Sequence, residues 1–200
     1  MTRTTNARIA GFTFLLYIVT GITSMVLFNQ ATSGAEGTAA TLASMAQHAS
    51  LVRVYIVLTL LCAACALVLG VTLYALTRDQ DRDLAVMALC CRVGEGVVIA
   101  AVSSLVTLAL LSVATASTAA AAPDAAAVQA LGALLLKIGD WTGLIAATCF
   151  AVGSTLFSWL LLRGRMIPVV LAWLGVVASV LLVVLLPAQL AGFLKGGVTS

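Results

Sequence analysis

The chain has 200 residues, of which 62% are hydrophobic and only 8% charged, with a formal net charge of +3 and a mean hydropathy of +1.18. A soluble domain carries about 25% charged and about 45–50% apolar residues, so a water-soluble fold is excluded, as are disorder, collagen-like repeats and a disulfide-stapled secreted module. The expectation is an all-α integral membrane bundle forming one domain over residues 1–200. A backbone in lipid must satisfy its own hydrogen bonds, and the short alternating stretches of a β-barrel are absent.

Apolar runs of about 20 residues or more, the length a bilayer core requires, occur at 9–28, 51–77, 84–112, 139–162 and 167–194. The first follows Arg3 and Arg8. It is longer than the roughly 7–15 apolar residues of a secretion signal, and Gly11, Thr20, Gly21 and Thr23 suit helix packing, so it is expected to stay as an uncleaved helix. In the loop that follows, Leu42, Met45 and Ala49 share one helical face, which predicts a short helix over the mouth of the bundle. The second run carries Cys62 and Cys65 and ends in a turn bearing Arg78 and Arg82. The third carries Cys90, Cys91, Arg92 and Glu95.

An Ala/Ser/Thr-rich connection follows with Pro123-Asp124, where Asp124 is expected to cap a helix running through 128–138 into the fourth span. Arg163 and Arg165 occupy the next turn. Pro168 suits the first turn of the fifth span, while Pro187 falls inside it, where a kink is expected.

Arginines gather before the first span and in the turns at 78–83 and 163–166, whereas the opposite loops hold little positive charge. The positive-inside rule then places the N-terminus and both short turns in the cytoplasm and the C-terminus outside.

Ionisable groups at membrane depth are costly and therefore have a partner or a task. Arg92 and Glu95 fall roughly 13–18 Å below the start of the third span at 1.5 Å per residue. Their i,i+3 spacing puts them on one helix face, and Gly94 and Gly96 leave room beside the acid. Tyr17 and Ser154 come from other spans at similar depth and offer hydroxyls to complete the hydrogen bonding. Two readings stay open: a neutralised pair that fixes helix packing, and a polar intramembrane site.

Nearer the outer surface, Arg53 and Asp140 start spans running inward from the same side, and a salt bridge between them is expected. With Lys137, His48 and Trp141 they form either a vestibule or interfacial anchors.

The Cys62-Ala-Ala-Cys65 spacing resembles redox motifs. Its thiols lie in an apolar mid-membrane setting and neither outer loop carries a cysteine, so small packing residues are the simpler reading. A single histidine without acidic neighbours argues against a metal site. No nucleophile–base constellation, phosphate loop or nucleic-acid patch is visible.

Several motifs carry a resemblance. They are Arg8-Ile9-Ala10-Gly11 leading into an apolar helix, Leu73-Tyr74-Ala75-Leu76 closing the second span, Arg92-x-x-Glu95, and the stretch 153–175 with its small-residue helix, Arg-containing turn, Ile-Pro and Gly-containing helix. Together they resemble domain-of-unknown-function family 4386, bacterial multi-pass membrane proteins, over nearly the whole chain. The chain departs from that pattern at Val169 and Val170 after Ile-Pro, and at Ala188-Gln189 after Pro187.

The resemblance implies a bacterial inner-membrane protein without supplying a mechanism, and it points to Arg8, Arg92 and Glu95. The leading reading is a non-enzymatic protein, without cofactor or metal, whose Arg92/Glu95 site binds a small amphiphile or assists ion or proton passage. Its partners would be the lipid bilayer, a small amphiphilic ligand and possible further copies of itself in a homo-oligomer, with no nucleic acid. The alternatives are a structural or assembly subunit that packs through Gly70, Gly143, Gly153 and Ser154, and a thiol–quinone oxidoreductase using Cys62 and Cys65.

Overall fold

A computed structural model of the chain describes residues 2–34, 36–116 and 124–191. Every regular element in it is helical: α1 (Arg3–Thr32), α2 (Thr38–Gln47), α3 (Ala49–Thr77), α4 (Arg82–Val97), a π-helical segment (Val98–Ser103), α5 (Ser104–Ala116), α6 (Ala125–Arg163) and α7 (Val169–Leu190). Taking α4 through α5 as one continuous span, five helices are long and apolar enough to cross a membrane.

The packing is inverted relative to a soluble bundle. On α1 the buried positions are Asn6, Ala10, Thr13, Thr20, Ser24 and Ala31, while Phe12 is 70% exposed and Leu15, Val19, Ile22 and Met25 also point outward. Small residues inside and bulky apolar ones outside suit helices that approach closely in lipid, where no hydrophobic force drives them together. Several buried hydroxyls bond within their own helix: Thr20 Oγ1 donates to the Leu16 carbonyl at 2.8 Å and Thr72 Oγ1 to that of Val68 at 2.8 Å. These are satisfied locally.

Neighbour relations set the architecture. Helix α3 is central, packing on α1, α4, α5 and α6, and among the described residues the backbone of α7 comes close to that of α6 alone. The backbones of α1 and α7 do not come together among these residues. The two outer helices therefore flank a gap.

The ends of the bundle differ. At one end lie the start of α1, the α3–α4 turn and the α6–α7 turn, and Arg163 Nη1 stands 3.7 Å from Asp81 Oδ2 across the two turns. Asp81 also caps α4 by accepting from the Leu84 amide at 3.2 Å. This is the basic end. The opposite end is closed by α2, whose Leu42 and Met45 are buried against Val52, Leu110 and Leu111. The short helix expected in the first loop is present, on the face its apolar residues indicated.

Asp124 caps α6 as expected, its Oδ1 accepting from the Ala126 amide at 3.1 Å. The helix then runs 39 residues without interruption, about 58 Å at 1.5 Å per residue and far beyond a core of about 30 Å. Its first turns lean on α2 instead, with Gly132 fitting against Leu42.

Pro168 departs from expectation. It stands just before α7 as the capping residue with ψ of 132°, and the helix starts at Val169. Pro187 lies inside α7 as expected. Pro123 and the last residues assigned to the fifth span fall outside the described residues, as does the C-terminus whose side was expected.

Candidate functional site: a buried arginine in a lateral cavity

Helices α4 and α1 meet at Glu95. The third span delivers Arg92 and Glu95 to the same face of α4, and Arg92 Nη1 donates to Glu95 Oε2 at 2.6 Å, with side-chain exposures of only 2% and 1%. From α1, the Tyr17 hydroxyl donates to the other oxygen, Oε1, also at 2.6 Å. Both carboxylate oxygens are thereby engaged, which a charge at this depth requires.

Aromatic rings complete the housing of the arginine. Its guanidinium carbon lies 4.6 Å from the Phe150 ring centroid and 5.6 Å from that of Tyr17, and the two rings are parallel to within 2°. Ring faces attract a cation, and more strongly where water is excluded.

Glycines make room for the arginine stem. A Cβ at Gly70 on α3 would come 3.0 Å from Arg92 Cβ, and one at Gly153 on α6 would come 3.2 Å from Cys91 Cβ and 3.7 Å from Arg92 Cγ. Arg92 is thus clasped by three neighbouring helices. Only Nη1 carries a hydrogen bond among the described residues, and Nε is fully buried without a partner.

Arg92 also forms part of the wall of a cavity of about 970 Å³ between α1 and α7. The lining is almost wholly apolar, including Phe14, Leu73, Phe157 and Leu171, and it begins at the basic end beside Arg3. The volume lies at the upper end of the roughly 300–1,000 Å³ of small-molecule sites. Because the backbones of α1 and α7 stay apart among the described residues, the cavity opens sideways between two helices whose outward faces are apolar. Glu95 lines neither this cavity nor a second one of about 390 Å³.

The residues singled out in the sequence are distributed as follows. Tyr17, Arg92 and Glu95 are joined in one hydrogen-bonded group. Ser154 lines the cavity with Arg92, and no hydrogen bond connects it to either member of the pair. The second cavity, on the α2 side of the bundle, includes Asp140, Tyr55 and Ser103 in its wall. No ion pair joins Asp140 to Arg53 among the described residues. Lys137 instead places its Nζ 5.9 Å from the Trp141 ring. His48 forms the corner between α2 and α3, with Nδ1 3.0 Å from the Ser44 carbonyl oxygen.

Cys62 and Cys65 are buried free thiols, and Cys62 Sγ lies 3.9 Å from the Tyr17 carbonyl oxygen. Phe150 is the participant that sequence reasoning missed. An aromatic residue one helical turn before Ser154, on the same face of α6, was the available signal.

A family model described as a domain of unknown function (DUF4386) matches residues 9–195. The chain belongs to the DUF4386 family. The match covers the helical bundle from residue 9 onward and includes Tyr17, Arg92, Glu95 and Phe150. Neither the curated proteins nor the solved structures gave a match. As a DUF4386 member the chain is a multi-pass helical protein of membrane type, and the family description names no reaction or ligand.

Proposed function

We propose that this protein binds a small amphiphile in the cavity between α1 and α7, with Arg92 as the polar anchor, and that it works without chemistry of its own in a bacterial inner membrane with its basic end in the cytoplasm. The observation that carries this reading is Arg92 in the wall of an otherwise apolar cavity of about 970 Å³, a guanidinium of which only Nη1 carries a hydrogen bond among the described residues. A hydrogen bond to a charged donor is worth about 1.5–3 kcal/mol, and the apolar wall holds the tail through van der Waals contact.

Binding is better supported than ion or proton passage. A proton carrier must be reachable, whereas Glu95 is 1% exposed, has both oxygens engaged and borders neither cavity. Packing against a separate partner through Gly70 and Gly153 gains little support, since both glycines are already filled from within by α4.

The reading is tested by filling the cavity. Gly11 lines it and has nothing within 4 Å of a Cβ, so Gly11→Leu adds bulk from α1, and Ser154→Leu adds bulk from α6, where Ser154 also lines the cavity. Detergent-purified protein, extracted and examined by mass spectrometry, is expected to carry a stoichiometric hydrophobic molecule that both variants lose while staying folded. Equal yields of every extracted species from wild type and variants would remove the proposal.

A further inference from the structure

The charge balance and depth of the site narrow the class of ligand. This step rests on the binding reading above and adds a chemical restriction to it. Arg92 contributes one positive charge and Glu95 one negative charge, and the two are already in contact at 2.6 Å. The buried pair is therefore neutral as it stands. A carboxylate or phosphate brought to the Arg92 guanidinium would leave one uncompensated negative charge in an apolar pocket, beside an acid that is 1% exposed. Burying an unpaired ion costs several kcal/mol even after relaxation, more than one hydrogen bond returns.

Position along the membrane points the same way. The cavity starts at Arg3, and Arg92 lies at the level of Tyr17, to which it is linked through Glu95. Fourteen residues of helix separate Arg3 from Tyr17, about 21 Å at 1.5 Å per residue. The wall residues agree: Leu69, Phe150 and Phe14 are, on their own helices, the lining positions farthest from the basic end. A lipid whose charged headgroup stays at the basic end does not bring its ester oxygens to that depth. The polar group that meets Arg92 belongs instead to a molecule dissolved in the bilayer, which enters sideways through the gap between α1 and α7.

We infer that the ligand is an uncharged, bilayer-soluble molecule whose single strong acceptor, a carbonyl oxygen, takes a hydrogen bond from the Arg92 guanidinium while its apolar remainder fills the cavity toward the basic end. A carbonyl fits because a guanidinium offers only donors. The guanidinium, 4.6 Å from the Phe150 ring centroid, is held in the rigid orientation a directional bond needs. Two sources share this chemistry, a quinone head and a neutral fatty ester, and both are apolar enough to travel through the lipid.

The test uses full-length protein in dodecyl maltoside micelles and follows the thermal unfolding midpoint while one probe is added. The probes are methyl oleate, decylubiquinone, oleate at pH 9 and 1-octadecene. Methyl oleate or decylubiquinone, or both, should raise the midpoint at concentrations on the order of tenfold lower than 1-octadecene, the margin expected from one charge-assisted hydrogen bond, and oleate should be weaker than either. Whichever carbonyl probe acts identifies the source.

Single removal of Arg92 strands Glu95, so the variant used is Arg92→Met with Glu95→Met. Replacing a buried pair by apolar residues of similar volume is often neutral or stabilising. This double variant should still respond to 1-octadecene and lose the carbonyl preference. Oleate acting as strongly as methyl oleate, or 1-octadecene matching the carbonyl probes, or a preference that survives in the double variant, overturns the inference and leaves amphiphile binding standing. Failure of all four probes to move the wild-type midpoint overturns both.

Discussion

Tyr17 donates its hydroxyl to Glu95 across 78 positions of sequence, at 2.6 Å, and ties α1 to α4 although the backbones of those two helices do not come into contact. Without this bond α1 is held mainly by α3 through small residues, and one oxygen of a buried carboxylate loses its donor. Tyr17→Phe is therefore expected to cost about 1–3 kcal/mol, the penalty of an unsatisfied buried acceptor. Glu95→Gln should cost more, about 3–5 kcal/mol, because it leaves Arg92 charged and unpaired. Denaturant unfolding in mild detergent ranks the two. A Tyr17→Phe loss equal to or larger than that of Glu95→Gln would contradict the arrangement.

The glycines around Arg92 make a prediction that separates close approach from helix propensity. In an open position Gly→Ala stabilises a helix by up to about 1 kcal/mol, and Gly143, with nothing within 4 Å of a Cβ, should show that gain. At Gly153 a Cβ would meet the Ala88 carbonyl oxygen at 3.3 Å and Cys91 Cβ at 3.2 Å, and at Gly70 it would meet Arg92 Cβ at 3.0 Å. None of these atoms is the free end of a flexible chain, so α3 and α6 have to move away from α4. Overpacking of this kind costs about 1–3 kcal/mol. The same unfolding measurement should place Gly70→Ala and Gly153→Ala below wild type and Gly143→Ala at or above it.

How much of this was legible in the sequence follows from which physical effects act locally. The spans follow from runs of apolar residues, α2 from the face shared by Leu42 and Met45, and the start of α6 from the capping propensity of Asp124. Each depends on residues a few positions apart. Arg92 and Glu95 stand out because charge is rare at that depth, and the length of α1 puts Tyr17 at their level. The lateral cavity is not legible, because it exists only where the backbones of α1 and α7 fail to come together, and the apolar character of a span does not say which of the other spans it packs against. The stacking of Phe150 on Arg92 depends on how α6 rotates about its axis. Arg53 and Asp140 mark the limit of depth arguments: similar depth in a span fixes one coordinate of three and does not bring two side chains together.

The turn after α6 contains a non-glycine residue in a conformation that disfavours side chains. Arg165 has a φ of +48°, and around it the Met166 amide donates to the Leu161 carbonyl at 3.0 Å while the Arg165 amide donates to that of Leu162 at 3.1 Å. This is the bonding of a Schellman cap, in which the left-handed residue is usually glycine. An L-residue there costs about 1–2 kcal/mol. Arg165→Gly is expected to raise stability by about 1 kcal/mol. Arg165→Ala, which removes the charge and keeps the Cβ, should give no such gain. If the two variants behave alike in thermal unfolding, the effect belongs to charge and not to the backbone.

Arginine placement also predicts which side of the membrane the cavity faces. Arg78, Arg82, Arg163 and Arg165 all sit at the basic end, where Arg163 approaches Asp81 across the two turns, and the cavity begins there beside Arg3. Positive charge is retained on the cytoplasmic side during insertion, so a ligand displaced along the cavity would emerge toward the inner leaflet. Asp79 is exposed in the α3–α4 turn, with only a 3.8 Å approach to its neighbour Arg78, and tolerates replacement by cysteine. In a background where Cys62, Cys65, Cys90, Cys91 and Cys149 are replaced by alanine, Asp79→Cys should react with a membrane-impermeant maleimide only after the cells are opened. A cysteine at Glu36, exposed at the opposite end before α2, should react in intact cells. The reverse pattern would turn the bundle over and place the mouth of the cavity at the outer leaflet.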